Sequence, residues 1–126
     1  MVNIATPAVA THAGILGLGA YRPQRVVPNS ELVDRIDSSD EWIRERSGIT
    51  ERRYAAADET VASMAATAAT AALEDAKLSP GDIDLVILAT FTHRYATPSA
   101  AAEVSALIGA ENAAAVDVGA ACAGFA

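Results

Sequence analysis

Apolar positions fall into separate blocks along the chain, and their spacing changes from block to block. "AGILGLGAY" at 13–21 is short, apolar and glycine-punctuated, then stopped by "RPQRVVP", a pattern that predicts a strand followed by a loop. Asn29 or Ser30 caps a short helix running to about Ile36, with Glu31 and Asp34 in its first turns favouring the helix dipole. A second helix opens at "SSDEW" and ends at Gly48. From Asp58, "DETVASMAATAATAALEDAKL" places Val61, Met64, Ala65, Ala68, Ala72 and Leu73 on one stripe of a long helix. Its alanine face suits close packing against a sheet or another helix. After the break "SPGD", the apolar and β-branched run "IDLVILATF" predicts a strand buried on both faces. Pro98 opens the helix "PSAAAEVSALIG", Gly109 stops it, and "AAAVDV" is a further short buried strand. "GAACAGFA" then reads as a strand-to-helix junction, with a helix just beginning.

The order is therefore strand, helices, strand, helix, strand, with helical crossovers between apolar strands. That order predicts an α/β layered fold with a largely parallel sheet. Gly17 and Gly19 invite comparison with a dinucleotide fingerprint, but Arg22-Pro23 follows them in place of a third glycine and a helix, so packing at a strand end is the better reading.

Composition narrows the picture. At 126 residues the chain is one domain or part of one, and its 52% apolar fraction is inflated by 30 alanines, which bury little area each. Nine basic against sixteen acidic side chains leave a net charge of −7, which argues against nucleic acid or an anionic membrane as partner. Arg44, Arg46, Arg52 and Arg53 nevertheless crowd within ten residues, so a local anion-binding patch is an open possibility. One cysteine forms no internal disulfide and suits a reducing compartment. No run reaches the length of a membrane span, and the "AVA" near the N-terminus has no Lys or Arg before it, unlike a signal peptide.

The chemistry concentrates at Cys122. In an Ala/Gly run a cysteine is often a small buried hydrophobe. At the first turn of a helix, however, unpaired backbone N–H groups and the positive dipole end favour the thiolate, and Gly119 and Gly124 permit sharp turning and close substrate approach. Ser38, Trp42 and Arg46 are spaced i, i+4 and i+8, so on one helix they share a face within about 80°. A hydroxyl, an aromatic plate and a guanidinium together suit a nucleotide; the blander alternative is a half-buried Trp with an Arg packed over it. His93, in the loop "THRYATPSAA", reads as a solvated side chain, although loops after a central strand are where binding residues gather.

"DVGAACAGF", with "SSDEWIRERSGITERRYAA" upstream and a βαβ segment between them, resembles the N-terminal half of β-ketoacyl-acyl-carrier-protein synthase III. The likeness runs from about Gly14 to Ala126. It implies the thiolase-like αβαβα fold, built from two similar halves, with 1–12 as a flexible tail and 13–126 as an N-terminal half-domain cut just after the nucleophile. By position Cys122 is similar to the family's nucleophile, which takes an acyl group from acyl-CoA before malonyl-acyl-carrier-protein is decarboxylated and condensed onto it. Ser38, Trp42 and Arg46 match the residues that meet CoA, with Ser38 where the family often has Thr. Thr97 matches a pocket position that is bulky and aromatic in some short-chain members, so a longer acyl channel is implied.

The resemblance further implies a cytoplasmic homodimeric acyltransferase of fatty acid synthesis, with no metal and no cofactor, acyl-CoA being a substrate. The family's histidine and asparagine donors belong to the C-terminal half, and neither His12 nor His93 matches them. The fragment alone is therefore expected to be inactive. The alternatives are a non-catalytic fragment that binds acyl-CoA or packs on a partner, or part of another thiolase-like condensing enzyme.

Overall fold

The computed structural model describes residues 12–125. Apart from His12, the tail expected over 1–12 lies outside them. The chain folds as mixed α/β, with two separate two-stranded sheets. Strands β1 (Arg25–Pro28) and β2 (Glu51–Tyr54) pair antiparallel, Arg25 opposite Tyr54 and Pro28 opposite Glu51. Both were hidden in the sequence, because four-residue strands with Val27 as their one fully buried side chain leave no readable alternation.

Between these strands lie helices α1 (Ser30–Val33) and α2 (Asp40–Ser47). The first stops short of the expected Ile36. Asn29 sits in helical φ/ψ and makes no side-chain cap bond, its side chain being committed elsewhere. Helix α2 follows its caps: the Trp42 N–H donates to Ser39 Oγ, and Gly48, at φ 72°, closes the last turn in the left-handed region that glycine tolerates.

Helix α3 (Val61–Ala76) starts from a reciprocal Thr60–Ser63 capping box. A 3-10 turn at Pro80–Asp82 leads to β3 (Leu85–Ala89), then α4 (Ala100–Ile108) and β4 (Ala114–Val118). Strands β3 and β4 pair in parallel, Leu85 beside Ala114 and Ala89 beside Val118, with α4 as the crossover. Ala62, Ala66 and Val104 form the centre of the core, and Val86 and Leu88 of β3 pack on it. The alternate residues Leu85, Ile87 and Val116 remain exposed, Ile87 to 62%. Strand β3 is thus covered on one face among the described residues, not on both as its apolar run predicts.

The segment 13–21 forms no strand. It has no ladder partner among the described residues, and the Leu18 N–H donates to the Asp75 carboxylate instead (3.0 Å). Its glycines serve close packing. A Cβ on Gly19 would stand 2.0 Å from the Ala68 carbonyl oxygen and 2.4 Å from the Ala72 nitrogen, and one on Gly17 would stand 2.4 Å from the Ala72 carbonyl oxygen. Backbone therefore lies directly on the alanine face of α3.

Candidate active site

Cys122 lies four residues beyond β4, at the carboxyl end of the parallel pair, where open α/β sheets carry their ligand sites. It is exposed. The element that bears it is a 3-10 turn over Ala121–Phe125, not an α-helix, so the run of aligned peptide dipoles expected there is short. The sharp bend falls on Ala121, which holds the left-handed region at φ 47°, a conformation costing about 1 kcal/mol or more for a residue with a Cβ. The flanking glycines act differently from expectation. Gly124 packs its Cα face on the end of β3, where a Cβ would stand 2.9 Å from the Ala89 Cβ, and Gly119 has ordinary clearance.

Two contacts staple the loop between β3 and α4 to the strand that leads to Cys122. The Thr90 N–H donates to the Val118 carbonyl (3.1 Å). At the far end the Asp117 carboxylate accepts from the Ala100 N–H (2.8 Å) and the Ala101 N–H (2.7 Å), satisfying the first amides of α4. Asp117 is the one charged residue within the run "AAAVDV" that the sequence marks as a strand. Thr97 lies exposed on this stapled loop. His93 is half-buried rather than solvated, its ring edge-on to Tyr95 at 5.8 Å. A cavity of about 490 Å³ beside it is lined by Glu59, Thr60, Met64, His93, Arg94 and Tyr95 among others, and Thr97 is not on its wall.

Glu59 closes one side of that cavity. Its carboxylate accepts from the Ala56 N–H (2.5 Å) and from the Tyr21 hydroxyl. These two bonds, Ala56 first, hold the carboxyl below the usual glutamate range, and the bond to Glu59 in turn raises the Tyr21 phenol.

The nucleotide-type residues divide. Trp42 and Arg46 share one face of α2, the guanidinium carbon 6.0 Å from the indole centroid, and Trp42 is 56% exposed, an arrangement that both the nucleotide reading and the blander one of an Arg packed over a half-buried Trp allow. Ser38 is not on that helix. It precedes the Ser39 cap, so the shared helical face expected for all three residues holds for two; the Ser38 Oγ is buried with no hydrogen-bond partner among the described residues. The four crowded arginines do not converge on a patch either. Arg44 reaches Asp40 (3.3 Å), Arg52 reaches Asn29 (2.7 Å), Arg53 reaches the Pro23 and Gln24 carbonyls, and Arg46 faces the indole.

No helix among the described residues is long and apolar enough to cross a membrane. No protein-family model matches the chain. Over 125 residues it is 53% identical to the mycobacterial β-ketoacyl-[acyl-carrier-protein] synthase III of Mycobacterium tuberculosis (strain H37Rv), a match covering 99% of this chain and 37% of that protein. The 3-oxoacyl-[acyl-carrier-protein] synthase III of Aquifex aeolicus superposes with a TM-score of 0.83 at 48% identity, over 88% of this chain and 36% of that one. The priming β-ketosynthase from the R1128 polyketide biosynthetic pathway superposes with a TM-score of 0.84 at 46% identity, over 88% of this chain and 33% of that one. The chain thus spans little more than a third of the length of the curated relatives it matches. By sequence and by fold, it is similar to the N-terminal part of β-ketoacyl-acyl-carrier-protein synthase III proteins, which have the thiolase-like fold.

Proposed function

We propose that this chain is the nucleophile-bearing portion of a condensing enzyme that joins an acyl-CoA to malonyl-acyl-carrier-protein. The reading rests on the exposed Cys122, set just after a left-handed Ala121 at the carboxyl end of the parallel strands. The Cys122 thiolate attacks the acyl-CoA carbonyl; the carbon–sulfur bond to CoA breaks, CoA leaves as the thiol after taking up a proton, and an acyl-cysteine remains. Malonyl-acyl-carrier-protein then loses carbon dioxide. The electron pair left on its α-carbon attacks the acyl-cysteine, a carbon–carbon bond forms, and the Cys122 thiolate departs. Trp42 and Arg46 receive the nucleotide end of CoA by stacking and charge, with the Ser38 hydroxyl nearby in sequence, and Thr97 borders the acyl channel.

The developing negative charge in both steps needs positioned donors, which the resemblance assigns to a histidine and an asparagine of a C-terminal half. The complete enzyme is a cytoplasmic homodimer in this proposal. A second reading, a priming ketosynthase of polyketide assembly, is favoured by the likeness to the R1128 enzyme and shares the acyl-cysteine chemistry.

The test is co-expression of this chain with the complementary portion of the Mycobacterium tuberculosis synthase, followed by a condensation assay with acyl-CoA and malonyl-loaded carrier. Product is expected from the assembly, none from the assembly carrying Cys122→Ala, and none from the 126-residue chain alone. Undiminished product with Cys122→Ala overturns the proposal, and preference for a polyketide carrier over a fatty acid carrier selects the second reading.

A further inference from the structure

Helix α2 carries Trp42 and Arg46 but has no buried residue of its own. Its apolar anchorage is limited to the half-buried Ile43, so polar contacts carry much of its positioning. The side chain beneath it is Asn29, which is 1% exposed, at the end of β1. Its Nδ2 donates to Asp40 Oδ1 (2.7 Å), on the first residue of α2, and to the Ile49 carbonyl (2.8 Å), one residue past the helix's Gly48 cap. Its Oδ1 accepts from Arg52 Nη1 (2.7 Å) on β2. The main chain joins in, the Asn29 N–H donating to the Thr50 carbonyl (3.3 Å) and its carbonyl accepting from the Leu32 and Val33 N–H groups. One amide thus spans α2 from its first residue to just beyond its last, and ties both ends to the β1–β2 pair.

We infer that Asn29 is a positioning residue for nucleotide recognition: it holds α2 by both ends, so that Trp42 and Arg46 present one fixed face to CoA. The inference rests on the proposed role of those two residues. Only an amide fits the position. Aspartate would lose both donated bonds and set a carboxylate against Asp40, and a hydroxyl could not serve three partners that lie in three directions. Asn29 touches no nucleotide in this account and acts through Asp40 and Ile49.

Trp42 is the sole tryptophan of the chain, so its fluorescence reports the site directly. Titrating the 126-residue chain with CoA is expected to quench it saturably, while pantetheine, which lacks the nucleotide, does not. Asn29→Ala should raise the half-saturating CoA concentration by about tenfold, and Asp40→Ala, which removes one of the three side-chain bonds from an exposed position, by about threefold. The alkylation rate of Cys122 should be unchanged in both, because that residue sits on the 3-10 turn that follows the other sheet; a general loss of structure would alter it.

Wild-type quenching with both variants unaffected overturns the inference and leaves the CoA site standing. Absence of quenching in the wild-type chain overturns the CoA assignment and the inference with it. If Asn29→Ala fails to fold, unaltered CoA affinity in Asp40→Ala overturns the inference.

Discussion

Removing the Asp117 carboxylate is the sharpest structural perturbation available near Cys122. Its two oxygens accept from the Ala100 and Ala101 N–H groups at 2.8 and 2.7 Å, and both residues are completely buried. In Asp117→Ala those donors lose their partner where water has little access. Hydrogen bonds to a charged group contribute about 1.5–3 kcal/mol each, and deleting a helix cap costs about 0.5–2 kcal/mol. The half-buried carboxylate offsets part of this by its own desolvation, and Ser99 Oγ still accepts from the Ala102 N–H. The net loss is therefore about 2–4 kcal/mol, a fall in Tm of roughly 10 °C for a chain of this size. Asp117→Asn keeps one acceptor of the same shape and should lose about half as much. Urea denaturation followed by circular dichroism measures both, with the slope unchanged if the perturbation is confined to the folded state. A loss under about 0.5 kcal/mol in Asp117→Ala would refute the view that this carboxylate holds the start of α4.

Other outcomes follow from the same geometry. Gly19→Ala should destabilise the chain by more than about 2 kcal/mol in the same denaturation assay, because its Cβ meets the α3 backbone and neither side can yield; Gly14→Ala, with open space around it, should be neutral. Glu59 has a lowered folded pKa, so its contribution is present above the unfolded glutamate range and is lost as pH falls through the lower folded value. A carboxyl NMR titration should place its midpoint below that of free glutamate, and Tyr21→Phe should move it back up. In the assembled enzyme, Thr97→Phe should shift preference toward short acyl-CoA substrates; equal loss with short and long primers would show that this position does not measure chain length.

Much of this architecture was legible in the sequence, and the parts that were not share a cause. Helices α2 and α4 and strands β3 and β4 were readable because the "SSDEW" opening and the stops Gly48 and Gly109 are local signals and the runs between them exceed four residues; α3 was readable by its long apolar stripe, though it begins at Val61 and not at the expected Asp58. Strands β1 and β2 were not, since each is four residues long and exists by pairing across the intervening α1–α2 segment. The segment around Gly17 and Gly19 was misread for the complementary reason: its apolar, glycine-rich character reflects contact with the α3 backbone, which composition cannot tell from strand packing.

The candidate site divides in the same way. Cys122, Trp42 and Arg46 stood out by residue type and spacing, but Ser38 was placed on a helix that begins two residues later. Asn29 was read as a helix cap and Asp117 was given no role, because the bonds that matter reach partners 11, 16, 17, 20 and 23 residues away, and no local pattern announces them.

The central claim is that Cys122 accepts the acyl group. It is tested most directly by intact-protein and peptide mass spectrometry of the chain, assembled with the complementary portion of the mycobacterial synthase and incubated with acyl-CoA in the absence of malonyl-carrier. One acyl group per chain is expected, carried on the peptide containing Cys122, released by hydroxylamine and absent from Cys122→Ala. An unmodified Cys122 peptide, or an adduct that persists in Cys122→Ala, would contradict it.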